Sequence, residues 1–139
     1  PIQEVLAGKK PFLGICLGLQ LLFEESEEFG RHKGLGILRG SVVPFKLPKK
    51  FKIPHMGWNR ITKQKKGTLL DELEDESYFY FVHSYHVEPE DPKIVASKTD
   101  YGKDFVSSIA TGNLFACQFH PEKSQKAGLA LLKNFTTLA

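Results

Sequence analysis

Pro11-Phe12-Leu13-Gly14-Ile15-Cys16-Leu17-Gly18-Leu19-Gln20 is the stretch from which the fold can be read. Its apolar first half predicts a buried strand that arrives at Gly14, and its second half opens a helix. A cysteine stands between them in a Gly-x-Cys-x-Gly frame, the form of a nucleophile elbow with cysteine in the place where hydrolases often carry serine. A tight strand-to-helix turn crowds its backbone, so side chains at positions 14 and 18 would collide with neighbouring strands or with a substrate. The turn lifts Cys16 out of the sheet and sets it at the start of the next helix. Unpaired amides and the helix dipole favour thiolate there, and a thiol near pKa ~8.5 can fall to ~3.5–7.5 in such surroundings. The same five residues also suit a buried cysteine on a glycine-softened strand end, so this stretch alone leaves nucleophile and core thiol open.

Outward from the elbow, the chain has 139 residues, which predicts one domain, 1–139, with a real core. A 41% hydrophobic and 25% charged composition is that of a soluble globular protein. The formal charge of +3 comes from dispersed lysines and makes no case for nucleic acid. Two cysteines, Cys16 and Cys117, are too few for a disulfide framework and point to a reducing compartment, the cytoplasm. No apolar run approaches the ~20 residues of a membrane span, and no signal peptide is visible. Ile2 to Gly8 reads as the end of a helix closed by glycine. A chain opening in mid-helix is expected to be part of something longer.

From Leu17 the pattern predicts a helix to about Phe29, buried at its apolar start and exposed and frayed at its acidic end, Glu24 to Glu28. Ser41 to Phe45 reads as a strand and Lys46 to Lys52 as a solvated basic loop. Pro54 to Ile61 leads into a polar hairpin-like stretch ending at Gly67, and Thr68 to Leu73 into a short helix. Tyr78 to His83 is strongly strand-like and continues past a bend at Ser84-Tyr85. Strands follow over Ile94–Lys98, Phe105–Ala110 and Leu114–Phe119, with turns at Asp100-Tyr101-Gly102 and Thr111-Gly112-Asn113. A helix from about Ser124 to Leu138 closes the chain on an apolar face of Ala127, Leu131, Phe135 and Leu138. This order predicts an α/β fold, a mixed and mostly parallel central sheet flanked by helices with antiparallel additions.

A cysteine nucleophile needs a base, and His120 follows directly on the strand ending at Phe119. Side chains just past the carboxyl ends of strands gather in one crevice, so His120 and Cys16 can meet despite their separation along the chain. Glu122, two residues on, can accept a hydrogen bond from the far side of the imidazole and steady the imidazolium, completing a Cys–His–Glu triad. Taken singly, His120 is as well explained as a strand-end residue capping the last helix, and Glu122 as a carboxylate suited to the helix dipole. Gln20 lies one helical turn beyond Cys16 on the same face and, if buried, requires a hydrogen-bond partner. His55, His83 and His86 lack the close spacing of a zinc site, so no metal is expected, and Cys117 reads as a core thiol.

Gly14-Ile15-Cys16-Leu17-Gly18-Leu19-Gln20 with Phe119-His120-Pro121-Glu122 resembles the class I glutamine amidotransferases. Pro54-His55-Met56-Gly57-Trp58-Asn59, Phe81-Val82-His83-Ser84-Tyr85 and Gln118 to Ser124 are similar to the branch that supplies the glutaminase subunits of imidazole glycerol phosphate synthases. The resemblance covers nearly the whole chain. It implies that Cys16 attacks the side-chain amide of L-glutamine, with the N–H of Leu17 as one oxyanion donor. It also implies that Gln20 and the backbone at Ser84 and Tyr85 contact the substrate, and that no cofactor is used. The implied partner is a cyclase subunit of (β/α)8-barrel type, faced by Met56, Trp58 and Lys123; core packing is the alternative for the first two. The family's members begin with further sheet strands and a glycine-rich loop that supplies a second oxyanion donor, so this sequence is expected to lack those strands and to be poorly active by itself. A paralogous amidotransferase feeding another acceptor, an inactive interaction module and, more remotely, a thiol peptidase are the other readings.

Overall fold

The strand β1, Phe12–Ile15, forms where expected and pairs in parallel with β11, Leu114–Cys117, in a register that sets Ile15 opposite Cys117. The structure is a computed structural model that describes residues 4, 8, 10–28, 30–74 and 76–138. The helix expected before Gly8 falls largely outside those residues. Helix α1, Leu17–Gln20, follows β1 directly, and the chain then re-enters the sheet as β2, Phe23–Ser26. The strands that follow are β3 (His32–Lys33), β4 (Leu38–Pro44), β5 (His55–Arg60), β6 (Thr62–Lys63), β7 (Tyr78–His83) and β8 (Tyr85–Pro89). Then come β9 (Val95–Asp100) and β10 (Asp104–Thr111), followed by β11 and the closing helix α2, Gln125–Leu138.

Nine strands form one sheet in the order β1-β11-β10-β8-β4-β2-β3, with β9 branching from β10 and carrying β6. Strands β5 and β7 make a separate antiparallel pair. The mixed α/β architecture is as expected, but its proportions are corrected. In the large sheet only β1 with β11 and β2 with β4 run parallel, and the other described pairings are antiparallel. The reason is connectivity. Parallel neighbours need a long crossover, whereas most links between β7 and β11 are short turns.

Two further expectations fail. The helix predicted to Phe29 stops at Gln20, because Phe23–Ser26 pairs with residues 38–42 and buries Phe23 completely. Glu24 and Glu25 are thus strand residues on the sheet's outer part, and a preference of glutamate for helix yields to the strand pairing. Thr68 to Leu73 is a pair of tight turns. The Asp71 carboxylate accepts from the N–H groups of Gly67 and Thr68, and Thr68 Oγ1 accepts from Leu70 N, so side chains take the donors a helix would have used.

Strand β11 is buried on both faces and organises the core. Leu114 and Ala116 pack with Leu19, Leu22, Phe23 and Val87 on one side of the sheet. Phe115, Cys117 and Phe119 pack with Phe79, Phe81 and Leu131 on the other. Its unbroken apolar run is therefore that of a strand covered on both sides, and Cys117 is a core thiol as predicted. Along α2, Leu131 is fully buried, whereas Leu138 is 59% exposed and drops out of the expected apolar face. Among the described residues no helix is long and apolar enough to cross a membrane.

Candidate active site

Cys16 continues the ladder of β1 for one more bond, its N–H donating to Cys117 O at 2.7 Å, and then the chain turns sharply. Its φ of 53° and ψ of −102° are strained for a residue with a side chain, a cost that marks functional elbows. Gly14 makes the turn possible. A Cβ there would stand 3.0 Å from Gly18 O and 3.2 Å from the Ala116 side chain. Gly18 is different, since nothing described lies within 4 Å of a Cβ built on it. Crowding against neighbouring parts of the chain, as expected, is found at position 14 and not at position 18.

The thiol does not have the depressed pKa that the elbow suggested. Burial pushes the Cys16 thiol up from its ordinary value, and the carboxylates of Glu122 and Glu28 add to that. A hydrogen bond from the Gln118 side chain and the N–H of Leu17 pull the other way without prevailing. A four-residue helix has too little aligned backbone to offset desolvation of an anion. The Leu17 N–H acts on the sulfur in the lowering direction, while the Leu17 side chain itself is exposed.

His120 lies three residues beyond Cys117, the last residue of β11, and opens a short 3-10 turn, Pro121–Lys123. His120 Nδ1 and Glu122 Oε2 are 3.0 Å apart, so the histidine–carboxylate half of the candidate triad is formed. His120 N donates to Tyr80 O at 2.9 Å, and Ser124 Oγ donates to His120 O at 2.6 Å while accepting from Tyr80 N at 2.9 Å. These bonds fasten the turn to β7. From the other side, a Cβ at Gly128 of α2 would run into the Pro121 carbonyl, so helix and turn touch backbone to backbone.

The sulfur of Cys16 is hydrogen-bonded to Val82 O at 3.9 Å and to Gln118 Nε2 at 3.5 Å, and not to His120. The parallel register of β1 with β11 explains the Gln118 contact, because Cys16 follows Ile15 as Gln118 follows Cys117. Gln20 is buried as expected, with Nε2 donating to Gln118 Oε1 at 3.2 Å and to Tyr85 O at 3.4 Å. The carbonyls expected to meet a substrate are engaged within the chain. Ser84 O accepts from Phe45 N, and Tyr85 O accepts from His83 as well as from Gln20.

Gln118, His55 and His83 carry hydrogen bonds at the site that local sequence does not assign. His55 Nδ1 lies 3.0 Å from His83 Nε2, and burial lowers their pKa values to about 4 and about 3. Their pairing becomes visible only with the β5–β7 register, which sets His55 opposite His83. Among the described residues, no three His, Cys, Asp or Glu side chains are grouped so as to hold a metal.

Strand alternation turns Met56 and Trp58 away from buried His55, and they are 62% and 47% exposed. Trp58 meets Tyr80 edge-on at 6.0 Å, and Lys123 Nζ stands 6.0 Å from the same ring. The three residues expected to face a partner thus share one surface, beside a hollow of about 420 Å³ bounded by Trp58, Tyr78 and the start of α2.

The sequence profile of the family Glutamine amidotransferase class-I matches residues 1–138. The chain belongs to the class I glutamine amidotransferases. It is 54% identical over 137 residues to the imidazole glycerol phosphate synthase subunit HisH of Rhodopirellula baltica, covering 99% of this chain and 66% of that one. It is 60% identical over 134 residues to the HisH subunit of Aquifex aeolicus, covering 96% and 64%. The chain therefore spans just under two thirds of the length of these relatives. The solved structure of a glutamine amidotransferase from Thermotoga maritima superposes with a TM-score of 0.66 at 22% identity, over 98% of this chain and 51% of that one, which supports the amidotransferase fold.

Proposed function

We propose that this amidotransferase is the glutaminase subunit of an imidazole glycerol phosphate synthase, releasing ammonia from L-glutamine for a cyclase subunit of (β/α)8-barrel type in the cytoplasm. The observation that carries the reading is the placement of Cys16, on a strained elbow, beside the strand whose exit bears the 3.0 Å His120–Glu122 pair. The identities of 54% and 60% to HisH subunits support the pathway and the partner. Residues 1–139 then work within one amidotransferase domain.

In this mechanism the Cys16 sulfur, having given its proton to His120, attacks the side-chain carbonyl carbon of glutamine. The Leu17 N–H stabilises the oxyanion. His120 returns the proton to the departing nitrogen, ammonia leaves, and a γ-glutamyl thioester remains. His120 then takes a proton from water, whose oxygen attacks the thioester, and glutamate departs as the sulfur recovers its proton. Glu122 holds the imidazole tautomer and steadies its charged form. Gln20, with the backbone at Ser84 and Tyr85, borders the substrate, while Met56, Trp58 and Lys123 form an aromatic and cationic face suited to a protein partner.

The test is glutamate release by the protein together with its cyclase. Cys16→Ala is expected to abolish release and the trapping of a γ-glutamyl adduct. Undiminished release by that variant overturns the reading.

A further inference from the structure

Cys16, whose thiol donates to Val82 O, also accepts from a hydrogen-bond network whose direction can be deduced link by link. It starts at the Tyr85 carbonyl, which can only accept. His83 Nδ1, 2.8 Å away, must therefore carry its hydrogen. In a neutral ring Nε2 is then bare, so it accepts from His55 Nδ1 at 3.0 Å. That leaves His55 Nε2 bare, and it accepts from Asn59 Nδ2 at 3.2 Å, whose second hydrogen goes to Asp100 O at 2.9 Å. Both imidazoles are buried and held neutral, so each has one available tautomer.

The same carbonyl orders the other branch. Gln20 Nε2 donates to it at 3.4 Å and spends its second hydrogen on Gln118 Oε1 at 3.2 Å. Gln118 is fully buried, and with its oxygen committed to Gln20 its amide must present N–H to the sulfur, 3.5 Å away. A donor at this point favours thiolate, whereas a flipped amide would oppose it. The amide's orientation is thus chemically consequential.

We infer that Gln118 is a further catalytic residue that donates to the sulfur of Cys16, and that Gln20, His83 and His55 are positioning residues that hold its amide in the donating orientation. This deepens the glutaminase reading and rests on it only for the identity of the nucleophile.

The experiment follows alkylation of Cys16 by iodoacetamide against pH in protein carrying Cys117→Ala, so that one thiol reports. Gln118→Met keeps the volume and removes the donor. It is expected to move the alkylation midpoint up by about one pH unit and slow the reaction about tenfold below it. Gln20→Met, a change without charge, frees Gln118 Oε1 from its donor, lets the amide turn round and is expected to shift the midpoint upward with Gln118 intact. His83→Asn, whose amide can still donate to Tyr85 O, is expected to stay nearer the parent than His83→Leu.

Unchanged profiles for Gln118→Met and Gln20→Met, in variants with the parent's urea midpoint, overturn the assignment. If Gln118→Met does not fold, Gln20→Met decides alone. Equal shifts for the two His83 variants overturn the positioning role. Alkylation needs no glutamine, so a protein that shows these shifts yet releases no glutamate together with its cyclase counts against the glutaminase reading and leaves the donor role of Gln118 standing.

Discussion

His120 Nδ1 stands 3.0 Å from Glu122 Oε2, and the two residues are joined through Pro121 on a single 3-10 turn. The carboxylate therefore engages Nδ1, which in the proposed mechanism leaves Nε2 to exchange protons with Cys16. Glu122→Gln is expected to lower kcat for glutamine hydrolysis by up to about 10² with KM little changed, and His120→Asn by about 10²–10⁴. Steady-state kinetics of the two variants check the order. An equal rise in KM would assign Glu122 to substrate binding instead.

The two elbow glycines are expected to respond oppositely to alanine. At Gly14 the new methyl meets Gly18 O and Ala116, so Gly14→Ala should destabilise by about 1–3 kcal/mol. At Gly18 there is open space inside a helix, and Gly18→Ala should be neutral or stabilise by up to about 1 kcal/mol. Urea midpoints of both variants measure this.

Gly128→Ala places a methyl against the Pro121 carbonyl and must displace the turn that carries His120 and Glu122. A loss of about 3 kcal/mol is expected, with a fall in kcat at temperatures where the variant remains folded. Alanine at Leu129, which is 66% exposed on the same helix, should leave both unchanged.

Stability should depend on acid in a defined window. His55 and His83 titrate at about 4 and about 3 in the folded chain, against 6.5 when free. Between these values the unfolded chain binds more protons. Stability is thus fully present above about pH 6.5 and falls as pH drops toward 4, by a few kcal/mol. Urea midpoints from pH 7.5 to 4 test the sign, and a flat profile would show that these imidazoles are not held neutral.

Local pattern is enough for much of the fold. Tyr78–His83 matches its predicted bounds because a run of aromatic residues and Val82 suits a half-buried strand, in which Phe79, Phe81 and His83 are buried in alternation. The elbow is legible because Gly14, Cys16 and the helix opening are contiguous. Phe23–Ser26 reads as helix because its glutamates favour one, while its strand partner, β4, begins only at Leu38. At the site, His120 and Glu122 are neighbours in sequence and can be paired by eye. The His55–His83 contact depends on an antiparallel register, and the role of Gln118 on a parallel one. Neither register is written in local composition.

The backbone contact at Gly128 has an evolutionary consequence. Drift along α2 has room at outward positions such as Leu129 and Lys133, but position 128 can accept a larger side chain only if the Pro121 turn moves with it. A substitution there is silent only when a second change brings the imidazole back to its place, so the two sites are expected to change together.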